Sequence, residues 1–86
     1  METVLLNNGT VIENAHCLEV NNRLFVYISS SNDMKRWFDL FVEPENTQTI
    51  EADYYGDKKT YSGYSNLFSI SKENGNINIV MAKGVS

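Results

Sequence analysis

The sequence predicts a small α+β fold: antiparallel β-hairpin sheets packed around one short central helix. Three observations predict it. Met34, Trp37, Phe38 and Phe41 recur at i, i+3, i+4 and i+7, the spacing of one helical face. Glu43-Pro44-Glu45-Asn46-Thr47 then closes the segment, because proline cannot continue a helix and biases the residue before it away from helical geometry. On either side, short apolar or alternating runs are separated by Asn- and Gly-containing turns, the pattern of hairpins. The expected order is β-hairpins, helix, β-hairpins, in one compact domain over 1–86 with a loose tail at 83–86.

The first strand is the apolar run Val4-Leu5-Leu6, and Asn8-Gly9 after it suits a type I′ hairpin turn, since both residues tolerate positive φ. The return strand starts at Val11-Ile12. A further extended run, His16 to Val20, leads to Asn21-Asn22, a second two-residue turn. Arg23 to Ser29 is the strongest strand of the chain, with Leu24, Val26 and Ile28 on one face and Phe25 and Tyr27 on the other. Apolar residues on both faces mark a central strand, or one that packs against a partner. Ser29-Ser30-Ser31-Asn32 breaks it, and Ser30 with Asp33 fits the capping pattern of a hydroxyl followed three residues later by an acid.

The helix is predicted over Asn32 to Phe41. It is about three turns long, too short to persist alone, so its aromatic stripe must pack on a sheet. From Thr47 the period of two returns: Ile50, Ala52 and Tyr54 alternate with Glu51, Asp53 and Tyr55. Gly56-Asp57 is the expected turn, Lys58 to Tyr61 the return, and Gly63 a bulge or bend. Tyr64, Asn66, Phe68 and Ile70 continue the alternation. Lys72-Glu73-Asn74-Gly75-Asn76 turns the chain into a last strand, Ile77 to Ala82. No internal repeat is evident in the residues themselves.

Composition bounds the function. At 86 residues, 42% hydrophobic and 21% charged, the chain has the make-up of an ordinary globular domain with a small core. Small cores leave little stability for a deep, dry pocket, and many such domains self-associate. A net charge of −4 disfavours non-specific binding to nucleic acid or to an anionic membrane. No apolar run reaches the ~18–20 residues of a membrane span, and no basic region leads into a hydrophobic stretch at the N-terminus. Cys17 is the single cysteine, so no intrachain disulfide forms and a reducing compartment is the simpler reading. Cytoplasmic synthesis is the expectation, with incorporation into a virion compatible with it.

Chemistry-bearing constellations are absent from the pattern. His16-Cys17 puts two soft ligands side by side, but zinc needs three or four, and the chain has no further His or Cys. Adjacent strand residues point to opposite faces, which also argues against a Cys–His catalytic pair; Cys17 reads as a small buried residue and His16 as an edge or surface one. The serine run lacks a nucleophile-elbow context, and no glycine-rich phosphate loop occurs. Asn8-Gly9-Thr10 matches a glycosylation acceptor, but the turn explains it. No catalytic residue, metal site or cofactor is expected, and the chain is not read as an enzyme.

Two surfaces remain. The stretch Asp39 to Asp57 contains six acids and no Lys or Arg, a solvated face or a surface for a basic partner, with Glu51 and Asp53 its candidate contacts. Tyr54, Tyr55, Tyr61 and Tyr64, beside Gly56, Gly63 and Lys58-Lys59, form the other. Tyrosines on paired strands serve as cross-strand packing partners, as a protein interface, or as a stacking platform for bases or sugars. Tyr55, Tyr61 and Tyr64 are the expected contact residues, with Trp37 and Phe41 structural.

The layout resembles short, mostly uncharacterised proteins encoded by phages and prophages of low-GC Gram-positive bacteria. The early Asn8-Gly9-Thr10 turn carries the resemblance, with the helix running into Phe41-Val42-Glu43-Pro44-Glu45-Asn46-Thr47, Ile50, Tyr61-Ser62-Gly63-Tyr64, Leu67 and Ile70, and a final apolar strand ending near Lys83. It spans nearly the whole chain and implies a phage context without a defined activity. The leading expectation is a small phage-type protein, accessory or virion-associated, acting by protein–protein interaction and self-associating as a homo-oligomer. The alternative is a phage counter-defence inhibitor that binds a host enzyme through the acidic stretch. A carbohydrate- or nucleic-acid-binding module is the third, and it requires the tyrosines to share an exposed face.

Overall fold

Hairpins alternate between two sheets along the chain. A computed structural model describes residues 1–84. Strands β1 (Glu2–Leu5) and β2 (Val11–Glu13) begin sheet A, and β3 (Ala15–Val20) and β4 (Arg23–Ile28) begin sheet B. Helix α1 (Met34–Val42) and a 3-10 turn (Pro44–Asn46) follow. Then β5 (Thr49–Tyr54) and β6 (Asp57–Ser62) return to sheet A, and β7 (Asn66–Glu73) and β8 (Asn76–Ala82) to sheet B. Both sheets are antiparallel and four-stranded, ordered β2-β1-β5-β6 and β3-β4-β8-β7. This is the small α+β fold with one central helix that the sequence predicts.

The pairing order contains a two-fold relation that the residues do not advertise. Exchanging β1 with β5, β2 with β6, β3 with β7 and β4 with β8 maps each sheet onto itself. Within sheet B the correspondence reaches individual positions: Leu24, Val26 and Ile28 stand to the Asn21-Asn22 turn as Ile77, Ile79 and Met81 stand to Asn74-Gly75. All six are buried, and all four turn residues hold positive φ. Two such hairpins place six apolar side chains on the central pair of strands, and that row is the middle of the core.

Asn14 makes the corner between the sheets. Its N–H donates to the Glu2 carbonyl at the end of sheet A, its carbonyl accepts from Ser29 N in sheet B, and its φ is +55°, a conformation Asn tolerates. The inner faces of the two sheets then share one core: Val4, Leu6, Ile12 and Ile50 from the sheet A side; Ala15, Cys17, Leu24, Val26, Ile28, Ile77, Ile79 and Met81 from the other.

Helix α1 packs against β7 and contributes Trp37 and Phe41 to the core, with Met34 and Leu40 beside them. Phe38, expected on the same stripe, is exposed. The buried face is centred between Trp37 and Phe41 and takes Leu40 instead. The cap also differs from expectation. Asp33, not Ser30, is the N-cap and accepts from Arg36 N at 3.4 Å, while Ser31 Oγ accepts the Trp37 indole N–H at 2.7 Å. Ser30 itself sits at φ +55° and donates its N–H to the Asn76 side chain.

The closing segment after the helix has a concrete job. The Asn46 side-chain amide donates to the Leu40 carbonyl at 3.0 Å, satisfying one of the acceptors left open at a helix end. Thr47 is fully buried and donates both its N–H and its hydroxyl to Pro44 O. Asn7 donates its N–H and its side-chain amide to the carbonyls of Asn46 and Glu45, so the tip of the first hairpin docks on this turn.

Three local expectations are corrected. The first hairpin does not use a type I′ turn. Gly9 alone holds positive φ, Gly9 N donates to Leu6 O and Leu6 N to Thr10 O, a three-residue loop with a glycine bulge. The β5–β6 turn is centred on Tyr55-Gly56 rather than Gly56-Asp57, with φ of +50° and +97°. In β7 the register shifts between Leu67 and Ser69, leaving Phe68 as the bulged residue. Leu67 and Ile70 therefore face the core, and Phe68 points out, 64% exposed. The expected loose tail is anchored at its start: Gly84 N donates to Gly63 O and the Lys83 carbonyl accepts from Asn66; its remainder, 85–86, lies outside the described residues.

Candidate interaction surface

Sheet B buries one face and leaves the other bare. Strand alternation turns Leu18 and Val20 of β3, Phe25 and Tyr27 of β4, and Val80 and Ala82 of β8 away from the core. Their registers align them in rows. Leu18 lies opposite Phe25, and Phe25 opposite Val80; Val20 lies opposite Arg23, and Arg23 opposite Ala82. Phe68 joins at the bulge, its ring 4.8 Å below the Arg23 guanidinium. Leu18, Val20, Tyr27 and Phe68 are exposed, and Phe25 and Val80 half-buried by their neighbours. The doubly apolar strand Arg23–Ser29 thus has one face in the core and one in this patch. Leu18, Val20, Phe68, Val80 and Ala82 are the members that the sequence reading missed. The alternation His16, Leu18, Val20 beside Phe25 and Tyr27 was the available signal.

A cleft of about 380 Å³ opens between the start of β3 and the β5–β6 hairpin of sheet A. Its walls include Ala15 and Cys17 of β3, Ala52 and Tyr54 of β5, and Lys59 and Tyr61 of β6. The His16 ring and Glu2 carboxylate meet at 2.7 Å on its rim, between it and a second hollow lined by Met1, Ser29 and Tyr55. Cys17 closes the inner end. Burial, helped by the Glu2 charge, pushes its thiol up to about 12, so it stays protonated and is a poor nucleophile.

The predicted tyrosine surface does not exist as a unit. Tyr61 is 6% exposed and Tyr64 1%, so both are core residues, and Tyr61 is reached only through the cleft that it lines. Burial raises the Tyr61 phenol, with Cys17 and Glu19 adding to it; burial and then the bond to Glu19 push Tyr64 up to about 12. Tyr54 and Tyr55 do reach solvent, at 54% and 70%, and meet edge to face with ring centroids 4.8 Å apart. A stacking platform of four tyrosines for bases or sugars is therefore not available. Tyr55 also holds φ +50°, a region where a bulky residue pays about 1 kcal/mol and Asn or Gly would not. Strain of that kind concentrates where a side chain has a task.

The acidic stretch is changed by its own hairpin. Register sets Asp53 against Lys58 and Ala52 against Lys59, and Lys58 Nζ approaches Glu51 at 3.9 Å. Asp53 Oδ1 accepts Gly56 N at 2.8 Å, which stabilises the tight turn. Glu51 and Asp53 are thus half-buried, one beside a lysine and the other tied to the backbone. Among the described residues no group of three or more His, Cys, Asp or Glu is placed to hold a metal ion. Every buried side-chain nitrogen and oxygen among them has a hydrogen-bond partner. Among the described residues no helix is long and apolar enough to cross a membrane.

Fold and surface together define a small two-sheet α+β protein with a packed core, an uncovered apolar sheet face and a cleft beside one sheet edge. No family model matches the chain, and neither a curated protein nor a solved structure matches it.

Proposed function

We propose that this is a small phage-type protein, accessory or virion-associated, that works by protein–protein contact and self-associates through the outer face of sheet B. One observation carries the reading: the row Leu18, Phe25, Val80, extended by Val20, Tyr27 and Phe68, leaves an apolar patch uncovered in a chain whose core is small. Single exposed apolar residues are ordinary, but contiguous ones across three strands are the mark of an interface. Two such faces can pack about 10 Å apart as stacked sheets do. The phage context rests on the residue layout alone.

Sedimentation equilibrium of the parent and of Phe25→Glu tests the reading. The expected result is a concentration-dependent dimer or higher oligomer that the variant converts to monomer with its circular dichroism intact. A parent that stays monomeric at high concentration, and that is absent from purified particles, overturns it. The acid-led inhibitor reading finds less support, because Lys58 lies opposite Asp53 and beside Glu51, the acids it needs.

A further inference from the structure

Among the four sheet edges of the described residues, β3 alone is left open to another strand. The edge of β6 carries Lys58 and Lys59 in succession, a common guard against strand addition. The edge of β2 is three residues long and runs into the Asn14 corner. The edge of β7 is bulged at Phe68 and has helix α1 packed against it. Strand β3 runs six residues in unbroken register with β4 and contains no Lys and no Pro.

Its unpaired backbone groups can be assigned. Ser29 N donates to Asn14 O, so the Asn14 C=O faces β4 and, by alternation, His16, Leu18 and Val20 spend their N–H and C=O groups on that strand. Cys17 and Glu19 then direct theirs the other way. No hydrogen bond within the described residues takes up those two N–H and two C=O groups. The cleft lies beside them, floored by Ala52, Tyr54, Lys59 and Tyr61 of sheet A.

We infer that the β3 edge is an acceptor for one extended segment of a partner protein, which pairs with Cys17 and Glu19 and turns alternate side chains into the cleft. This rests on the reading of the chain as a protein–protein contact module and names how a partner engages it. Main-chain pairing supplies affinity, and the pockets for alternate side chains supply selectivity. Residues paired with Cys17 point inward over Ala52 and Tyr61, where small or apolar side chains fit. The residue beside Leu18 points outward and extends the apolar face of sheet B.

The same geometry argues against a second copy on this edge. An antiparallel join of two β3 strands has its two-fold axis perpendicular to the sheet, so both copies of sheet A lie on one side of it. Each copy brings its own β5–β6 hairpin, which lines the cleft beside β3, to that side, and the two crowd the space under the joint. A lone strand needs only the ~4.8 Å of one strand spacing and sits over the cleft. Self-association is left to the outer face, and the edge to a peptide.

The test is selection of a bead-displayed library of randomised peptides of about ten residues on the immobilised full chain, followed by amide hydrogen exchange of the complex. The expected binders show period-two alternation, and they slow exchange at the Cys17 and Glu19 amides. Cys17→Pro removes an outward N–H without breaking a bond to β4, and is expected to weaken them about tenfold. Should that variant misfold, the exchange pattern of the unaltered protein decides alone. An empty selection, binders without alternation, or binding that leaves both amides unprotected overturns the inference. A monomeric chain that still selects such peptides removes self-association and leaves the acceptor edge standing; an oligomer that selects none does the reverse.

Discussion

The Tyr64 hydroxyl donates to the Glu19 carboxylate at 2.5 Å, joining two residues 45 apart in sequence. Tyr64 lies where the chain crosses from sheet A to sheet B, and Glu19 near the far end of the opposite edge strand, β3. The contact closes one end of the core, and Lys83 covers the ring from outside with its ammonium 5.5 Å from the centroid. A residue with the composition of a binding surface is thereby a structural fastener.

Tyr64→Phe keeps the ring and deletes the bond to a charged acceptor. It is expected to cost about 1–2 kcal/mol, read as a lower urea midpoint with an unchanged slope. A midpoint equal to the parent's would mean the bond is absent in solution.

Alkaline pH should unfold the chain through two named groups. Burial holds the Cys17 thiol at about 12 against an ordinary 9.0, and burial with the Glu19 bond holds Tyr64 at about 12 against 10.0. The folded state therefore keeps protons that the unfolded state releases. Their contribution is complete below the ordinary values and is lost as pH climbs toward the raised ones. Unfolding free energy measured from about pH 8 upward should fall from near pH 9 and more steeply beyond pH 10; Cys17→Val should delay the onset.

Tyr55→Asn should stabilise the fold by about 0.5–1 kcal/mol, because Asn accepts the positive φ that Tyr55 is forced to hold. Thermal unfolding reads it as a rise of a few degrees. If Tyr55 serves in contact, capture of a partner falls in the same variant. Loss of stability would show that the T-shaped pair with Tyr54 outweighs the backbone strain.

The bulge in β7 reverses the ranking that residue size suggests. Ile70→Ala should destabilise by about 1–2 kcal/mol, and Phe68→Ala by less than about 1, although phenylalanine is larger. Equal or inverted losses in chemical denaturation would place Phe68 against the core and remove the bulge.

Local chemistry made much of the fold legible. Pro44 ended the helix, Asn21-Asn22 and Asn74-Gly75 set two hairpins, and Leu24, Val26 and Ile28 declared a core strand, because each signal acts within a few residues of itself. Errors arose where one residue shifts a phase. A single bulged position, Phe68, moved Leu67 and Ile70 inward, and a helix face centred on Trp37, Leu40 and Phe41 turned Phe38 outward. The candidate site was legible in one part only. Phe25 and Tyr27 opposite a buried row did announce a second face, and Tyr55 does stand exposed at a hairpin tip.

By itself, the sequence determined the class of fold, the number and order of hairpins, the helix and its closure, since periodicity and turn residues are properties of short stretches. Tertiary structure decided which face of each strand was covered. Alternation marks two faces as different but cannot say what lies over them, and that depends on strands tens of residues away. So Tyr61 and Tyr64 went into the core, Lys58 came to the acids, and the row Leu18, Phe25 and Val80 was left on the outer face beside an unpaired edge.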